Sequence, residues 1–110
     1  KGSKILVLGL AYKANVDDCR ESPSFVLMEK LETKGATVEY HDNYAPVVPP
    51  TREHSHLTGK KSVEIIDQYD LILLSTDHKE YKTFDFTGFQ APLVDTRNCI
   101  QLKPKKYFHA

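Results

Sequence analysis

Ile5-Leu6-Val7-Leu8-Gly9 is the stretch on which the fold turns. Its apolar residues run without a polar interruption and stop on a glycine, which suits a strand buried on both faces inside a parallel sheet. Further on, Ser22-Pro23 marks a helix start. The serine is placed to cap the first turn, and proline takes the first helical position, where its missing N–H costs nothing. Phe25, Met28 and Leu31, with Leu27 beside them, fall at helical spacing, leaving Glu29, Lys30, Glu32 and Lys34 for the wet side. Gly35 is placed to end the helix in a left-handed conformation. Ala36-Thr37-Val38-Glu39-Tyr40 then reads as a second strand. Strand, helix and strand make a βαβ unit, whose crossover should be right-handed.

Outward from that unit the pattern loosens. Asp42 to Lys61 holds Pro46, Pro49, Pro50 and Gly59 among polar residues and reads as a long surface loop, a kind of segment that is often functional. Ser62 to Gln68 fits a short helix or a strand equally well. Leu71-Ile72-Leu73-Leu74-Ser75-Thr76 is a further buried strand, followed by Asp77 and His78, and Leu93-Val94-Asp95 is a last short one. Tyr81, Phe84, Phe86 and Phe89 alternate with polar residues and are expected to close one side of the core. Lys103-Pro104-Lys105-Lys106 reads as a frayed polar tail. The expected architecture is an α/β three-layer sandwich with a mostly parallel, Rossmann-like sheet.

Composition narrows the function classes. A chain of 110 residues has the length of one domain. Its 15 basic and 15 acidic residues cancel, which leaves no electrostatic footprint for nucleic acid or an anionic membrane. No apolar run approaches the roughly 20 residues that span a bilayer, and Lys1-Gly2-Ser3-Lys4-Ile5 lacks a signal-peptide layout. Cys19 and Cys99 are the only cysteines. That usage fits a reducing cytoplasm better than a secreted disulfide scaffold, although two cysteines could still pair.

Ligands of open parallel sheets bind outside the carboxyl ends of the strands. By that rule Gly9-Leu10-Ala11-Tyr12-Lys13, Ser75-Thr76-Asp77-His78 and Asp95-Thr96-Arg97-Asn98 converge on one rim. A lysine for phosphate charge, an arginine fork and the flat ring of Tyr12 together suit a nucleotide diphosphate. The alternative is that Lys13 and Arg97 are solvated rim charges. The second and third glycines of a G-x-G-x-x-G loop are missing after the first strand, so this domain alone should not cradle NAD in the usual way. His54 and His56, beside Glu53, lack a third ligand at a convincing spacing and are read as loop residues, with no metal site. His41 and His78 follow strands and are expected to hydrogen-bond at the rim. Asp95 either orients Arg97 or caps the strand end.

The run from Gly9 through Tyr12, Lys13, Asp18 and Arg20 to Glu21-Ser22-Pro23 resembles the G-x-A-[FY]-K-x4-D-x-R-E-S-P signature of the UDP-glucose/GDP-mannose dehydrogenase family, which opens its C-terminal domain. Tyr40-His41-Asp42 and Val47-Val48-Pro49-Pro50-Thr51-Arg52-Glu53-His54 are similar to the branch acting on UDP-N-acetylhexosamines, the N-acetylglucosamine or N-acetylmannosamine 6-dehydrogenases. Ser75 to His78 and Val94 to Asn98 fit later family blocks, so the resemblance covers essentially the whole chain.

The resemblance implies that residues 1–110 are the UDP-binding C-terminal domain of a larger NAD-dependent enzyme. That enzyme would oxidise the sugar C6 hydroxyl to a carboxylate, supplying uronates for surface polysaccharide. Tyr12, Lys13 and Arg97 would hold the UDP-sugar, with Lys13 near the diphosphate. Arg20 would reach the NAD cofactor on a neighbouring domain, its guanidinium held by Asp17, Asp18 and Glu21; the alternative for Arg20 is an ion pair that anchors its loop. The family's catalytic cysteine lies in a G-G-x-C-x-P-K-D context that neither Cys19 nor Cys99 shares, so no catalytic residue is expected here and both thiols read as bystanders. The N-terminal NAD domain and the central dimerising helix would be partners from outside these residues. The full enzyme is thus expected as a homo-oligomer and this domain by itself as an inactive monomer. The competing reading is a free-standing nucleotide-binding or regulatory α/β domain.

Overall fold

The computed structural model describes residues 2–10, 23–48 and 57–109. Strands β1 (Lys4–Leu8), β2 (Thr37–His41), β3 (Leu71–Leu74), β4 (Leu93–Asp95) and β5 (Tyr107–His109) form one sheet in the order β2-β1-β3-β4-β5. Every neighbouring pair in it is parallel. Helix α1 (Pro23–Thr33) makes the crossover from β1 to β2, and the short α2 (Lys79–Thr83) lies between β3 and β4. The α/β Rossmann-like fold expected from the βαβ unit is the one observed.

Alternation along β1 explains why the sheet has a core on each face. Val7 joins Val38 and Tyr40 of β2 beneath Phe25 and Met28 of α1. Leu6 and Leu8 point the other way and pack with Ile72, Leu74, Leu93, Tyr81 and Phe86. Both sets of β1 side chains are essentially out of water, which is why the run carries no polar residue. The stripe on α1 faces the sheet as its spacing requires: Phe25 and Met28 are buried and Leu31 is partly so. Gly35 ends the helix at φ 95°, with Ala36 N–H donating to Leu31 C=O and Gly35 N–H to Glu32 C=O. That pair of bonds is a Schellman motif, and it depends on a residue free to adopt positive φ. Ser22, read as the cap at the other end, lies outside the described residues.

Two expectations need correction. The tail is not frayed: Lys103–Lys106 leads into β5, and Leu93 N–H donates to Lys106 C=O at 2.9 Å. Three residues are too few for alternation to show in a sequence, and β5 is fixed by long-range partners. Tyr107 packs on the aromatic side of the core and donates its hydroxyl to Asp95 at 2.8 Å. Ser62 to Gln68 is neither helix nor strand, although Val63 and Ile65 still pack against the core. The described parts of the 42–61 segment are loop, as expected, and are anchored to the domain. Tyr40 donates its hydroxyl to Ala45 C=O at 2.8 Å, Val48 and Lys60 share a backbone bond, and Val48 and Leu57 are buried.

Gly9 closes β1 at φ +98°, where a Cβ would stand 2.5 Å from Thr76 Cβ and 2.8 Å from Thr76 N. Gly9→Ala is therefore expected to cost about 2 kcal/mol, the range for a non-glycine residue forced into positive φ. A urea unfolding midpoint unchanged by the substitution would show that the β1–β3 junction yields freely.

Candidate functional site

A parallel sheet ordered 2-1-3-4-5 reverses its winding between β1 and β3, and the crevice at the carboxyl ends of those two strands is the topological switch point. Gly9 and Thr76 meet there, and the first turn of α1 arrives at the same place. Ser24 Oγ donates to Gly9 C=O at 2.8 Å and lies 2.7 Å from Ser75 Oγ. Arg97 reaches the group from β4, its Nε donating to Ser75 C=O at 3.3 Å, with the side chain otherwise open to solvent. The start of α1, the positive end of its dipole, thus lies at the same rim as an exposed guanidinium. That combination suits an anion.

Asp95 holds Arg97 in place through the backbone. After β4 the chain wraps around this carboxylate, helped by Asn98 at φ 55°. Oδ1 accepts the Arg97 N–H at 3.0 Å, and Oδ2 accepts the Cys99 and Ile100 N–H groups at 2.8 Å each as well as the Tyr107 hydroxyl. Burial pushes the Asp95 carboxyl upward, but the hydrogen bonds from Ile100, Tyr107, Arg97 and Cys99 outweigh it and hold its pKa below the usual value. Of the two roles open to Asp95 in the sequence, the strand-end cap is the one its side chain fills, and orientation of Arg97 follows from it. Next to it, burial followed by the nearby Asp95 and Asp77 charges pushes the free Cys99 thiol up to about 11. At neutral pH that thiol is protonated and a weak nucleophile, as suits a bystander.

At the carboxyl end of β2 lies a buried polar group that spacing alone had placed only at the rim. Asp42 and His78 are wholly buried, with His78 Nε2 2.9 Å from Asp42 Oδ2. Tyr81 donates its hydroxyl to His41 C=O at 2.8 Å, which leaves its oxygen to accept from His41 Nδ1 at 2.9 Å. Burial lowers the His41 pKa, against the pull of Asp42 and Glu80, so the ring is kept neutral. A usable signal for this network was present in the sequence. His and Asp side by side at the end of one buried strand, with Asp-His just past another, place two acid–imidazole pairs on one sheet edge.

Tyr12, Lys13 and Arg20, and with them Cys19, His54 and His56, lie outside the described residues. Among the sequence-derived site residues, Arg97 is the one whose setting is described, and it sits at the switch point. Among the described residues no helix is long and apolar enough to cross a membrane.

Comparison with known proteins accords with this geometry. Residues 6–102 match the UDP binding domain of the UDP-glucose/GDP-mannose dehydrogenase family. The chain is 35% identical, over 93% of its length and 22% of the relative, to a UDP-N-acetyl-D-mannosamine dehydrogenase of Methanocaldococcus jannaschii. It is 32% identical to the UDP-glucose 6-dehydrogenase YwqF of Bacillus subtilis, over 92% of this chain and 24% of that one. A UDP-glucose dehydrogenase structure from Pyrobaculum islandicum superposes with a TM-score of 0.74 at 29% identity, covering 98% of this chain and 25% of the other. The chain therefore spans about a quarter of the length of the relatives it matches.

Proposed function

Because this chain belongs to the UDP-glucose/GDP-mannose dehydrogenase family, matching its UDP binding domain, we propose that it holds the nucleotide of a UDP-sugar within a longer UDP-sugar 6-dehydrogenase. The observation that carries the proposal is the meeting of Arg97, Ser75, Ser24 and Gly9 at the switch point. An exposed guanidinium beside the first turn of α1 supplies a planar fork for diphosphate oxygens at the positive end of the helix dipole. Tyr12 and Lys13, three and four residues beyond Gly9, are proposed to complete the site, and Lys13 to neutralise the diphosphate.

The sequence after Gly9 lacks the second and third glycines of a dinucleotide loop, with Ala11 and Ala14 in their places, so it does not offer the usual cradle for NAD. Any cofactor of the longer enzyme is therefore proposed to sit mainly on polypeptide outside residues 1–110, with Arg20 reaching towards it. On this reading the isolated chain is monomeric and forms no NADH, while the full enzyme is a homo-oligomer that oxidises the sugar C6 hydroxyl to a carboxylate. A UDP-N-acetylhexosamine is the proposed substrate. The resemblance of Tyr40-His41-Asp42 and of the Val47–His54 block supports it, as does the name of the archaeal relative. The free Cys99 thiol supports a reducing compartment such as the cytoplasm.

UDP titrated into the 110-residue chain should shift the amide resonances of Arg97, Ser75 and Ser24, with Kd on the order of millimolar because other contacts to the sugar nucleotide would lie elsewhere. Resonances that stay still at saturating UDP would remove the site. A panel of UDP-sugars offered to the full-length enzyme, with uronate formation as the readout, tests the choice of hexose.

A further inference from the structure

The segment proposed to hold the nucleotide leaves the sheet at Gly9 and Leu10, and its first two residues are clamped from three sides. Gly9 N–H donates to His41 C=O at 2.8 Å, and Gly9 C=O accepts Ser24 Oγ. Leu10 lies beyond β1 with its side chain wholly buried, and its N–H donates to Asp42 Oδ2 at 2.7 Å. The same oxygen takes His78 Nε2 at 2.9 Å, while Oδ1 takes the Tyr44 N–H at 2.8 Å. A carboxylate only accepts, so His78 must present Nε2–H to it. The imidazole lies against Tyr44, with ring centroids 4.6 Å apart, and the Asp42 N–H is held by Ser62 Oγ at 2.9 Å.

We propose that Asp42 and His78 are positioning residues for the nucleotide site, His78 aiming the carboxylate that fixes the Leu10 amide and so the origin of the segment bearing Tyr12 and Lys13. The proposal rests on the nucleotide-binding reading above. A buried carboxylate–imidazole hydrogen bond is weak evidence for stability, since apolar packing of the same volume often does as well or better. What it adds is direction. Lys13 is three residues past Leu10 and so at most about 11 Å from it. An error at the start of so short a span is carried to the lysine, and misplacement by about 1 Å can cost large factors in function. Asp42 and His78 come from the ends of different strands, so they link the start of the segment to β2 and β3 together.

The test is made in the dehydrogenase that carries this domain. His78→Leu fills the space without an N–H, and His78→Gln restores a donor near the Nε2 position. UDP binding is measured by calorimetry and backbone order by amide hydrogen exchange. The Leu variant should weaken UDP about tenfold, the factor that a modest loss of alignment produces. It should also speed exchange at Leu10 while Ile72 and Leu74 of β3 stay protected, and the Gln variant should recover most of both. Asp42→Asn, which keeps the shape and loses an acceptor, is the second variant should the first not fold, with the same signs expected. Faster exchange at Leu10 with unchanged UDP affinity would overturn the proposal. So would loss of protection at Ile72 and Leu74 in step with Leu10, or a Gln variant no better than Leu. Failure of the unsubstituted enzyme to bind UDP would instead sink the nucleotide reading, which keeps the two failures apart.

Discussion

Asp95→Ala is expected to lower stability by about 3 kcal/mol. For a domain of this size that corresponds to a fall in Tm of roughly 12–24 °C. The carboxylate is fully buried and accepts from Arg97, Cys99, Ile100 and Tyr107, so alanine strands several donors at once. The Ile100 amide is buried and bears a full desolvation cost, whereas the part-buried Arg97 amide bears less. Asp95→Asn should fall between the two. Its single oxygen can take the place of Oδ2, but its NH2 then faces the Arg97 N–H. Because the folded-state pKa of Asp95 is depressed, its contribution is fully present above the ordinary value of 3.8 and is lost as pH falls below it. The Asn variant should therefore show a flatter loss of stability in that acid range. Calorimetric scans of the three proteins between neutral and strongly acid pH measure both effects. If alanine shifts Tm by only a few degrees, the turn from Asp95 to Ile100 is held by something other than this carboxylate.

How much of this was legible beforehand depended on the range of the interactions that fix each element. β1, α1 and β2 were readable because their determinants are local: an apolar run, a helical stripe and a glycine at the helix end. β5 was not, since Tyr107 is committed by Asp95 and by a core built from other strands. The same holds for α2, whose buried residue Tyr81 is fixed by His41 at the end of β2, forty residues away along the chain. At the site, the rule for parallel sheets was enough to send Arg97 to the correct rim. Its contact with Ser75 and the reach of Ser24 to Gly9 depend on how α1 lies over the sheet, which spacing does not specify. Asp42 and His78 show the sharpest gap. The strand-end positions of these two residues signal a hydrogen-bonded group at the rim, and what the fold adds is that both are sealed inside it.

Lys13 and Arg20, both outside the described residues, are expected to fail in different ways when replaced in the full-length enzyme. On the proposed function, Lys13 meets the diphosphate of the sugar nucleotide, a contact made equally in the ground and transition states. Losing uniform binding of that kind raises KM and leaves kcat nearly unchanged. A charge-assisted contact is worth about 1.5–3 kcal/mol, so Lys13→Ala should raise KM for the UDP-sugar by about ten- to a hundredfold. Arg20 is proposed instead to link this domain to the cofactor on its neighbour. Arg20→Ala should act mainly on KM for NAD, or on kcat through poorer closure of the two domains. Arg20→Lys should recover only part of the loss, because it keeps the charge and gives up the planar fork. Circular dichroism first establishes that each variant is folded, and steady-state kinetics with each substrate varied in turn then separates the effects. An Arg20→Ala enzyme impaired only towards the UDP-sugar, or towards neither substrate, would make Arg20 an ion-pair residue among Asp17, Asp18 and Glu21. The link between the two domains would then have to be sought on another part of the surface.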